Sequence, residues 1–299
     1  MLTRLDVRSA GVSLAVWQGP RNGPTIVFVH GYPDTHVLWD PVIERLVDRF
    51  HCVAYDVRGA GESGAPTDAG GYRLGYLRAD VAAVIDAVQD EASVSDRVHL
   101  VGHDWGSVQL WDAVIRSGSD ARLAGRLASF TSISGPCLEH VGAWMRSARR
   151  GTWKHRRAVL RQLLHSWYVL AFQVPVLPEI VLRRVNRRLL RRRPRASHHF
   201  APSLPDDSVR GLGLYRANIL SRREPLPGGA TTDLPVQVIV LLRDPYVTSA
   251  CLSDLQRWTS DLTRVELDAG HWAPYTHADE VVSLIARHVD SHAPPPPDR

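Results

Sequence analysis

The chain of 299 residues is long enough to bury one large core. Its composition, 44% hydrophobic and 22% charged, excludes global disorder, and its first residues contain no apolar stretch typical of a secretory signal. No later apolar run reaches transmembrane length, so we predict a cytoplasmic protein. The three cysteines lack the spacing of metal ligands and are expected to be buried thiols: Cys52, Cys137 and Cys251.

The net charge of +5 is unevenly distributed along the chain. Residues 146–195 contain 14 arginines and Lys154 but a single acid, Glu179, so this segment carries +14 and the remaining residues −9. Within it, the segment VLRRVNRRLLRRRPR predicts a helix with one apolar face, formed by Val181, Leu182, Val185, Leu189 and Leu190. This helix is expected either to pack on the core with a solvated basic face, or to contact an anionic membrane or an acidic partner. No nucleic-acid-binding motif accompanies the charge.

Short apolar runs separated by turn residues predict the strands of a sheet. The segments on either side of Gly11 predict an antiparallel hairpin at one edge, and later runs begin near residues 25, 51, 98, 127, 236 and 262. Helical patterns such as YLRADVAAVIDAVQD lie between several of these runs. Strands that alternate with helices favour a mostly parallel sheet covered on both faces, which is an α/β fold.

The alternation stops at about residue 136 and resumes after residue 234, and the segment between is helical and rich in Trp and Arg. We therefore predict a helical cap, 136–234, inserted into one core formed by 1–135 and 235–291. Residues 292–299 contain the run APPPPDR, which predicts an extended tail or a linker to an additional C-terminal domain.

The motif GHDWGS at 102–107 predicts a sharp turn from a strand into a helix. Gly102 and Gly106 leave room for the strained backbone that such a turn requires around Asp104. The helix N-terminus favours the ionised carboxylate, which could attack carbon and become an ester. A helix N-cap and a serine motif that has lost its activity remain the alternatives for Asp104.

Hydrolysis of such an ester requires a histidine base and an acid that orients it. In this arrangement the acid follows the strand after the cap, and the histidine follows the last strand. Asp244 in VLLRD and His271 in VELDAGHW occupy these places, and Asp261 and Asp268 are the alternatives for the acid.

Two backbone N–H groups are expected to form an oxyanion hole at the same turn. One belongs to Tyr32 in HGYP, which follows the strand TIVFV, and the other belongs to Trp105. Both are predicted to stabilise negative charge on the Asp104 ester during its hydrolysis.

Four motifs together resemble the α/β-hydrolase fold, in the branch shared by epoxide hydrolases and haloalkane dehalogenases: HGYP at 30–33, DVRGAGES at 56–63, GHDWGS, and GHW at 270–272. The resemblance covers nearly the whole chain. It implies a mostly parallel eight-stranded sheet with an inserted helical cap, and neither a metal nor an organic cofactor.

The resemblance to epoxide hydrolases also implies a source of protons for the departing oxygen. These enzymes supply two cap tyrosines, which Tyr168 in YVLAFQ and Tyr215 in YRAN match. A neutral phenol can hydrogen-bond the oxygen of an epoxide while the ring opens to a diol. The substrate is therefore expected to be a small-molecule or lipid epoxide, held by three aromatic residues: Trp105, Phe172 and Trp272.

Two alternatives to an epoxide hydrolase remain. In a haloalkane or haloacid dehalogenase, N–H donors hold the halide, and Trp153 and Trp167 are candidate donors here. However, HGYP lacks the Asn typical of haloalkane dehalogenases, and Trp105 replaces the Arg typical of haloacetate enzymes. The other alternative is a non-catalytic lipid-binding or interaction domain of a larger protein.

Overall fold

A computed structural model describes residues 2–89, 97–192, 199–221, 224, 226 and 229–293. Eight strands form a single sheet in the order β1-β2-β4-β3-β5-β6-β7-β8. Their bounds are Thr3–Ser9 (β1), Val12–Gln18 (β2), Thr25–Val29 (β3), His51–Tyr55 (β4), Val98–His103 (β5), Leu127–Ile133 (β6), Val236–Leu241 (β7) and Leu262–Leu267 (β8).

The first two strands form the predicted hairpin. They pair antiparallel from Thr3 opposite Gln18 to Ser9 opposite Val12, around Gly11 at φ +83°. Strand β2 pairs antiparallel with β4, and all further pairs are parallel. The predicted α/β-hydrolase architecture, with a mostly parallel eight-stranded sheet, is therefore confirmed.

Helices cover both faces of this sheet because its central strands are apolar on both sides. Every residue of β4, β5, β6 and β7 is buried. The residues of the edge strand β8, in contrast, are all half-buried or exposed. One face packs against α1 (Asp40–Leu46) and α11 (Ala278–His292), and the other packs against α2 (Leu74–Val88) and α3 (Trp105–Arg116). The three cysteines are buried and unpaired, as predicted.

Six described helices lie between β6 and β7, where the sequence predicts the insertion. They are α4 (Leu138–Ser147), α5 (Trp153–His165), α6 (Trp167–Ala171), α7 (Leu177–Arg192), α8 (Leu204–Arg210) and α9 (Leu212–Asn218). We call them the cap helices. The division into a core, 1–135 and 235–291, and a cap, 136–234, stays a prediction. The run of prolines lies in 294–299, outside the described residues, and α10 (Ala273–Thr276) and α11 complete the fold.

The turn from β5 into α3 is as tight as the GHDWGS motif predicts. Asp104 stands between the two elements at φ +52° and ψ −123°, a backbone conformation that residues other than glycine rarely adopt. A Cβ on Gly102 would lie 2.7 Å from the backbone nitrogen of Ser107, and one on Gly106 would collide with the carbonyl oxygen of Val29. Both glycines are therefore needed for β3, β5 and α3 to approach one another.

We expect Gly106→Ala to lower the free energy of unfolding by about 2 kcal/mol or more, because either Val29 or the start of α3 must move. Gly118→Ala is the matched control, since a Cβ there has no neighbour within 4 Å. Urea unfolding followed by tryptophan fluorescence measures both variants. Equal stability of the two would contradict the close approach at Gly106.

Candidate active site

The carboxylate of Asp104 is held in place by backbone donors. Its Oδ1 accepts a hydrogen bond of 2.8 Å from the N–H of Tyr32, which lies in the HGYP motif just after β3. Burial raises the pKa of Asp104 to about 6, although the charge of His271 and backbone hydrogen bonds from Tyr32 and Trp105 act in the opposite direction. The carboxylate is therefore ionised above this pH, and Oδ2 is left to react.

His271 lies between two carboxylates. Its Nδ1 is 3.1 Å from Oδ2 of Asp244, and its Nε2 is 3.8 Å from Oδ2 of Asp104. Burial lowers the pKa of His271, but the hydrogen bond and charge of Asp244, together with the charge of Asp104, outweigh burial and raise it. A proton on Nδ1 that is donated to Asp244 leaves Nε2 free to act as a base beside Asp104.

Asp244, rather than the alternative acids, contacts His271. It follows β7, and its Oδ1 accepts N–H hydrogen bonds from Tyr246 (2.8 Å) and Val247 (3.1 Å). Burial raises the pKa of Asp244, but the bond to His271 and the further hydrogen bonds outweigh it, so the pKa is lowered. Of the alternatives, Asp268 forms an exposed ion pair with Arg243, and Asp261 lies 3.6 Å from His292.

Ser134 is a residue of the site that the sequence analysis missed. It follows β6 at φ +51°, is buried, and hydrogen-bonds through its hydroxyl to Oδ2 of Asp244. The same oxygen lies 2.8 Å from Nδ1 of His271. Ser134 therefore fixes the orientation of both the acid and the base. The only signal in the sequence is its position directly after a buried strand, which many serines share.

The two predicted tyrosines stand together above this group. Tyr168 lies on α6 and Tyr215 on α9, with ring centroids 6.0 Å apart and edge to face. Burial is the main reason why the pKa of each phenol is raised above its ordinary value, and the charge of Asp104 raises both further. Both phenols therefore stay protonated near neutral pH, close to the Asp104 carboxylate.

One cavity of about 1160 Å³ connects these residues to the surface of the cap helices. Asp104, Tyr32, Tyr168, Tyr215 and His271 line its inner end, together with Phe172, Tyr246 and Trp272. Asp244 stands behind His271. The outer part is aliphatic and aromatic, and is lined by Leu164, Trp167, Leu177, Leu182 and Leu189.

Trp105 lies elsewhere than predicted. Its indole does not line this cavity but packs edge-on against Tyr215, with centroids 5.0 Å apart, beside a separate small cavity. It also hydrogen-bonds to Tyr215, which slightly opposes the rise in the pKa of that phenol. We therefore correct the expected contact between the Trp105 side chain and substrate: the ring supports Tyr215 from behind.

The two candidate halide donors are both on the surface. Trp153 is 78% exposed and Trp167 is 68% exposed. Trp167 lies at the outer part of the cavity, whereas Trp153 is not among the residues that line it. Neither indole is placed with Trp105 to hold a halide beside Asp104.

Another buried carboxylate, Asp34, connects the cap to the loop that carries His271. It accepts hydrogen bonds from Nε2 of His199 (2.6 Å) and from the indole N–H of Trp272 (3.2 Å). Burial raises the pKa of Asp34, but the hydrogen bond and charge of His199 and the charge of His103 outweigh it and keep the pKa low. Asp34 is therefore ionised and anchors both side chains.

Within the described ranges, no group of three or more His, Cys, Asp or Glu side chains is placed to hold a metal ion. In the same residues, no helix is both long and apolar enough to cross a bilayer. The expectation that the protein needs no cofactor stays a prediction.

The sheet, the turn at Asp104 and the residues at the strand ends define a class of protein. Residues 24–278 match the family described as the alpha/beta hydrolase fold. The chain belongs to this family.

Similar proteins include epoxide hydrolases, which confirms the resemblance predicted from the motifs. Probable oxidoreductase EphD of Mycobacterium tuberculosis is 34% identical over 301 residues, 97% of this chain and 50% of that protein. Epoxide hydrolase A of Mycobacterium tuberculosis is 30% identical over 188 residues, 62% of this chain and 52% of that protein. The chain thus spans about half the length of the curated relatives it matches.

The fold is also similar to that of solved structures. The epoxide hydrolase of Bacillus megaterium, crystallised in complex with an inhibitor, superposes with a TM-score of 0.76. The superposition covers 96% of this chain and 100% of that chain at 22% sequence identity.

The raised pKa of Asp104 predicts that Asp104→Asn stabilises the fold more at high pH than at low pH. The folded protein still binds a proton at Asp104 where the unfolded chain has lost it, so this carboxylate reduces stability as pH rises from about 4 to above 6. From pH 5 to pH 8, the variant should gain about 1 kcal/mol relative to the wild type. Urea unfolding of both proteins at the two pH values measures this. A difference that does not change with pH would show that burial does not raise this pKa.

Proposed function

We propose that this chain is an epoxide hydrolase, which opens an epoxide to a vicinal diol through a covalent ester on Asp104. The observation that carries the proposal is that one cavity contains an attacking carboxylate, a histidine base and two protonated phenols. The relatives named as epoxide hydrolases support the same assignment. The catalytic roles of the individual residues of the site are part of the proposal.

In the first step Asp104 is the nucleophile. Oδ1 is occupied by the N–H of Tyr32, so Oδ2 attacks a ring carbon of the epoxide. The new bond joins Oδ2 to carbon, and the bond between that carbon and the ring oxygen breaks. Tyr168 and Tyr215 hydrogen-bond the ring oxygen, and one of them donates the proton that converts it to a hydroxyl. The resulting tyrosinate regains its proton from water.

In the second step His271 is the base. Its Nε2 faces Asp104 and removes a proton from a water molecule, which attacks the carbonyl carbon of the ester. Negative charge develops on Oδ1 of Asp104, where the N–H groups of Tyr32 and Trp105 stabilise it. The bond between the carbonyl carbon of Asp104 and Oδ2 then breaks, and His271 returns its proton to Oδ2, which leaves as the second hydroxyl of the diol. The oxygen of the water molecule stays behind in the carboxylate of Asp104.

The acid and the hydroxyl behind His271 are positioning residues in this mechanism. Asp244 stabilises the imidazolium that forms when His271 accepts a proton, and Ser134 holds both side chains. The electrostatics also set the direction of the pH dependence. The first step needs Asp104 ionised and slows as the pH falls through about 6. The second step needs His271 neutral, and it slows as the pH falls through the raised pKa of this imidazole.

The placement of the tryptophans and tyrosines favours this reaction over dehalogenation. A halide leaves as a stable anion and needs N–H donors, but Trp153 and Trp167 are on the surface. The two phenols above Asp104 instead provide the proton that an alkoxide requires. A non-catalytic binding domain would not need the 3.8 Å approach of His271 to Asp104.

The expected partners and location remain part of the proposal. The apolar outer cavity suits a lipophilic epoxide, and the basic cap suits peripheral contact with an anionic membrane or an acidic partner. A cytoplasmic location, the absence of nucleic acid among the partners and an additional C-terminal domain stay predictions.

We expect His271→Gln to stall after the first step, because the ester forms but no base activates water. Intact-mass measurement after mixing with a terminal epoxide should show the protein heavier by one epoxide. The control is the double variant Asp104→Ala/His271→Gln, which should keep its original mass. Equal labelling of both variants would place the ester on another residue.

We expect Tyr168→Phe and Tyr215→Phe to slow ring opening about tenfold each, and the double variant to slow it about 1000-fold, as for loss of a general acid. The single-turnover rate of ester formation measures this, and Tyr76→Phe, a half-exposed tyrosine outside the cavity, is the control. Turnover of matched haloalkanes tests the alternative. A double variant that opens epoxides at the wild-type rate would exclude the proposed role of the phenols.

A further inference from the structure

Apolar side chains are unusually exposed on the outer side of the cap. The sequence predicts that the apolar residues of α7 share one face, with the helix either packed on the core or in contact with a membrane or an acidic partner, but the structure divides these residues. Leu182 and Leu189 line the cavity, Val185 is about half exposed outside it, and the half-exposed Val181 lies at the cavity lining. Large exposed apolar patches on a folded domain mark surfaces that contact a partner or a membrane.

The exposed residues lie on three helices, α5, α6 and α7, which all contribute residues to the lining of the same cavity. On α5 and α6 they recur at helical spacing, and on α7 they occupy positions i, i+3, i+4 and i+8, which share one face of a helix. Each side chain is between 42% and 68% exposed. We call this the cap surface, and it consists of Leu160, Leu163, Leu164, Trp167, Leu170, Leu177, Ile180, Val181 and Val185.

Basic residues surround the cap surface, and acids are scarce. Between residues 146 and 192 Glu179 is the one acid, and it is neutralised by Arg216 at 2.7 Å. Arg184, Arg187 and Arg188 stand beside the exposed Val181 and Val185 on α7, and all three are exposed. Apolar side chains interleaved with arginines are the pattern of helices that lie in the interface of an anionic bilayer.

The cavity opens within this surface. Leu164, Trp167, Leu177 and Val181 belong to the cap surface and also line the cavity that ends at Asp104. A lipophilic molecule could therefore pass from an apolar layer into the cavity without crossing water. A route of this kind explains why a mouth that is exposed to solvent in the isolated chain is built from apolar side chains.

We propose that the cap surface docks on an anionic lipid bilayer and takes a lipophilic substrate from it. Charge complementarity decides the occupant: a second copy would bring a second segment of high positive charge against the first. An acidic protein would match the arginines but gives no reason for a substrate cavity to open inside the contact. The statement about docking stands on the surface alone, whereas the statement about substrate rests on the proposed epoxide hydrolase activity.

Sedimentation with vesicles tests the docking. The wild type should pellet with phosphatidylglycerol vesicles and stay in the supernatant with phosphatidylcholine vesicles, and added salt should weaken the binding. Equal binding to both kinds of vesicle, or none to either, would overturn the proposal.

Three double variants separate the contributions of charge and apolar contact. Arg184→Glu/Arg188→Glu should weaken the partition to phosphatidylglycerol about tenfold or more, since each basic residue near the surface contributes to binding. Leu160→Ser/Leu163→Ser leaves the charge unchanged and should also weaken binding about tenfold. Ile180→Ser/Val185→Ser repeats this test on α7. None of these side chains lines the cavity.

The matched control for charge is Arg8→Glu/Arg287→Glu, which makes the same change in net charge at two exposed positions of the core. This variant should pellet like the wild type. If it loses binding as the cap variant does, the attraction depends on the net charge of the whole protein and not on the cap surface. If the serine variants bind like the wild type, the contact is purely electrostatic, as with an acidic protein, and the proposal is wrong.

Two substrates test the delivery from the bilayer. The wild type should hydrolyse a long-chain epoxide embedded in phosphatidylglycerol vesicles about tenfold faster than in phosphatidylcholine vesicles, in proportion to the protein bound. The arginine and leucine variants should lose this advantage but keep the wild-type rate on a short, water-soluble epoxide. Wild-type rates of the variants in both assays would overturn delivery, whereas failure of every protein on both substrates would instead overturn the proposed activity.

Discussion

The candidate site depends on the strained turn that holds Asp104 at φ +52° between β5 and α3. This conformation turns the carboxylate out of the sheet and toward the N–H of Tyr32. The neighbouring strands end at the same edge of the sheet, and they deliver Ser134, Asp244 and His271 after β6, β7 and β8 respectively. Because Gly102 and Gly106 have no side chains, the strands and α3 can pack closely at this edge. The replacement of either glycine would therefore displace the residues that contact Asp104.

Much of this arrangement could be predicted because parallel strands place their following residues together. Asp104 is marked by its glycines, and Asp244 and His271 are marked by their position directly after apolar runs. The two cap tyrosines depend on a family resemblance, since no rule of spacing connects Tyr168 on α6 with Tyr215 on α9. The structure brings them to one wall of the cavity.

What the sequence could not predict follows from packing between distant segments. Ser134 does not belong to a recognisable motif. Its role depends on a positive φ after β6, which the neighbouring residues in the sequence do not predict. Trp105 adjoins Asp104 in sequence, but the helix that begins there turns its ring away behind Tyr215. On α7 a single apolar periodicity serves two surfaces, since Leu182 faces the cavity and Val185 faces outward. Periodicity identifies apolar positions, but it does not say what covers them.

Asp34 joins two parts of the molecule that otherwise perform separate tasks. His199 comes from the segment between the cap helices α7 and α8, and Trp272 follows the candidate base directly in sequence. Because one carboxylate holds both, the segment between α7 and α8 is tied to the floor of the cavity. The cap helix α5 is joined to the loop after β7 in the same way, because Gln162 donates to the carbonyl of Tyr246 and accepts hydrogen bonds from Thr248. The cap is therefore fastened to both loops that carry the acid and the base, so the seating of the cap and the alignment of Asp244 with His271 depend on each other.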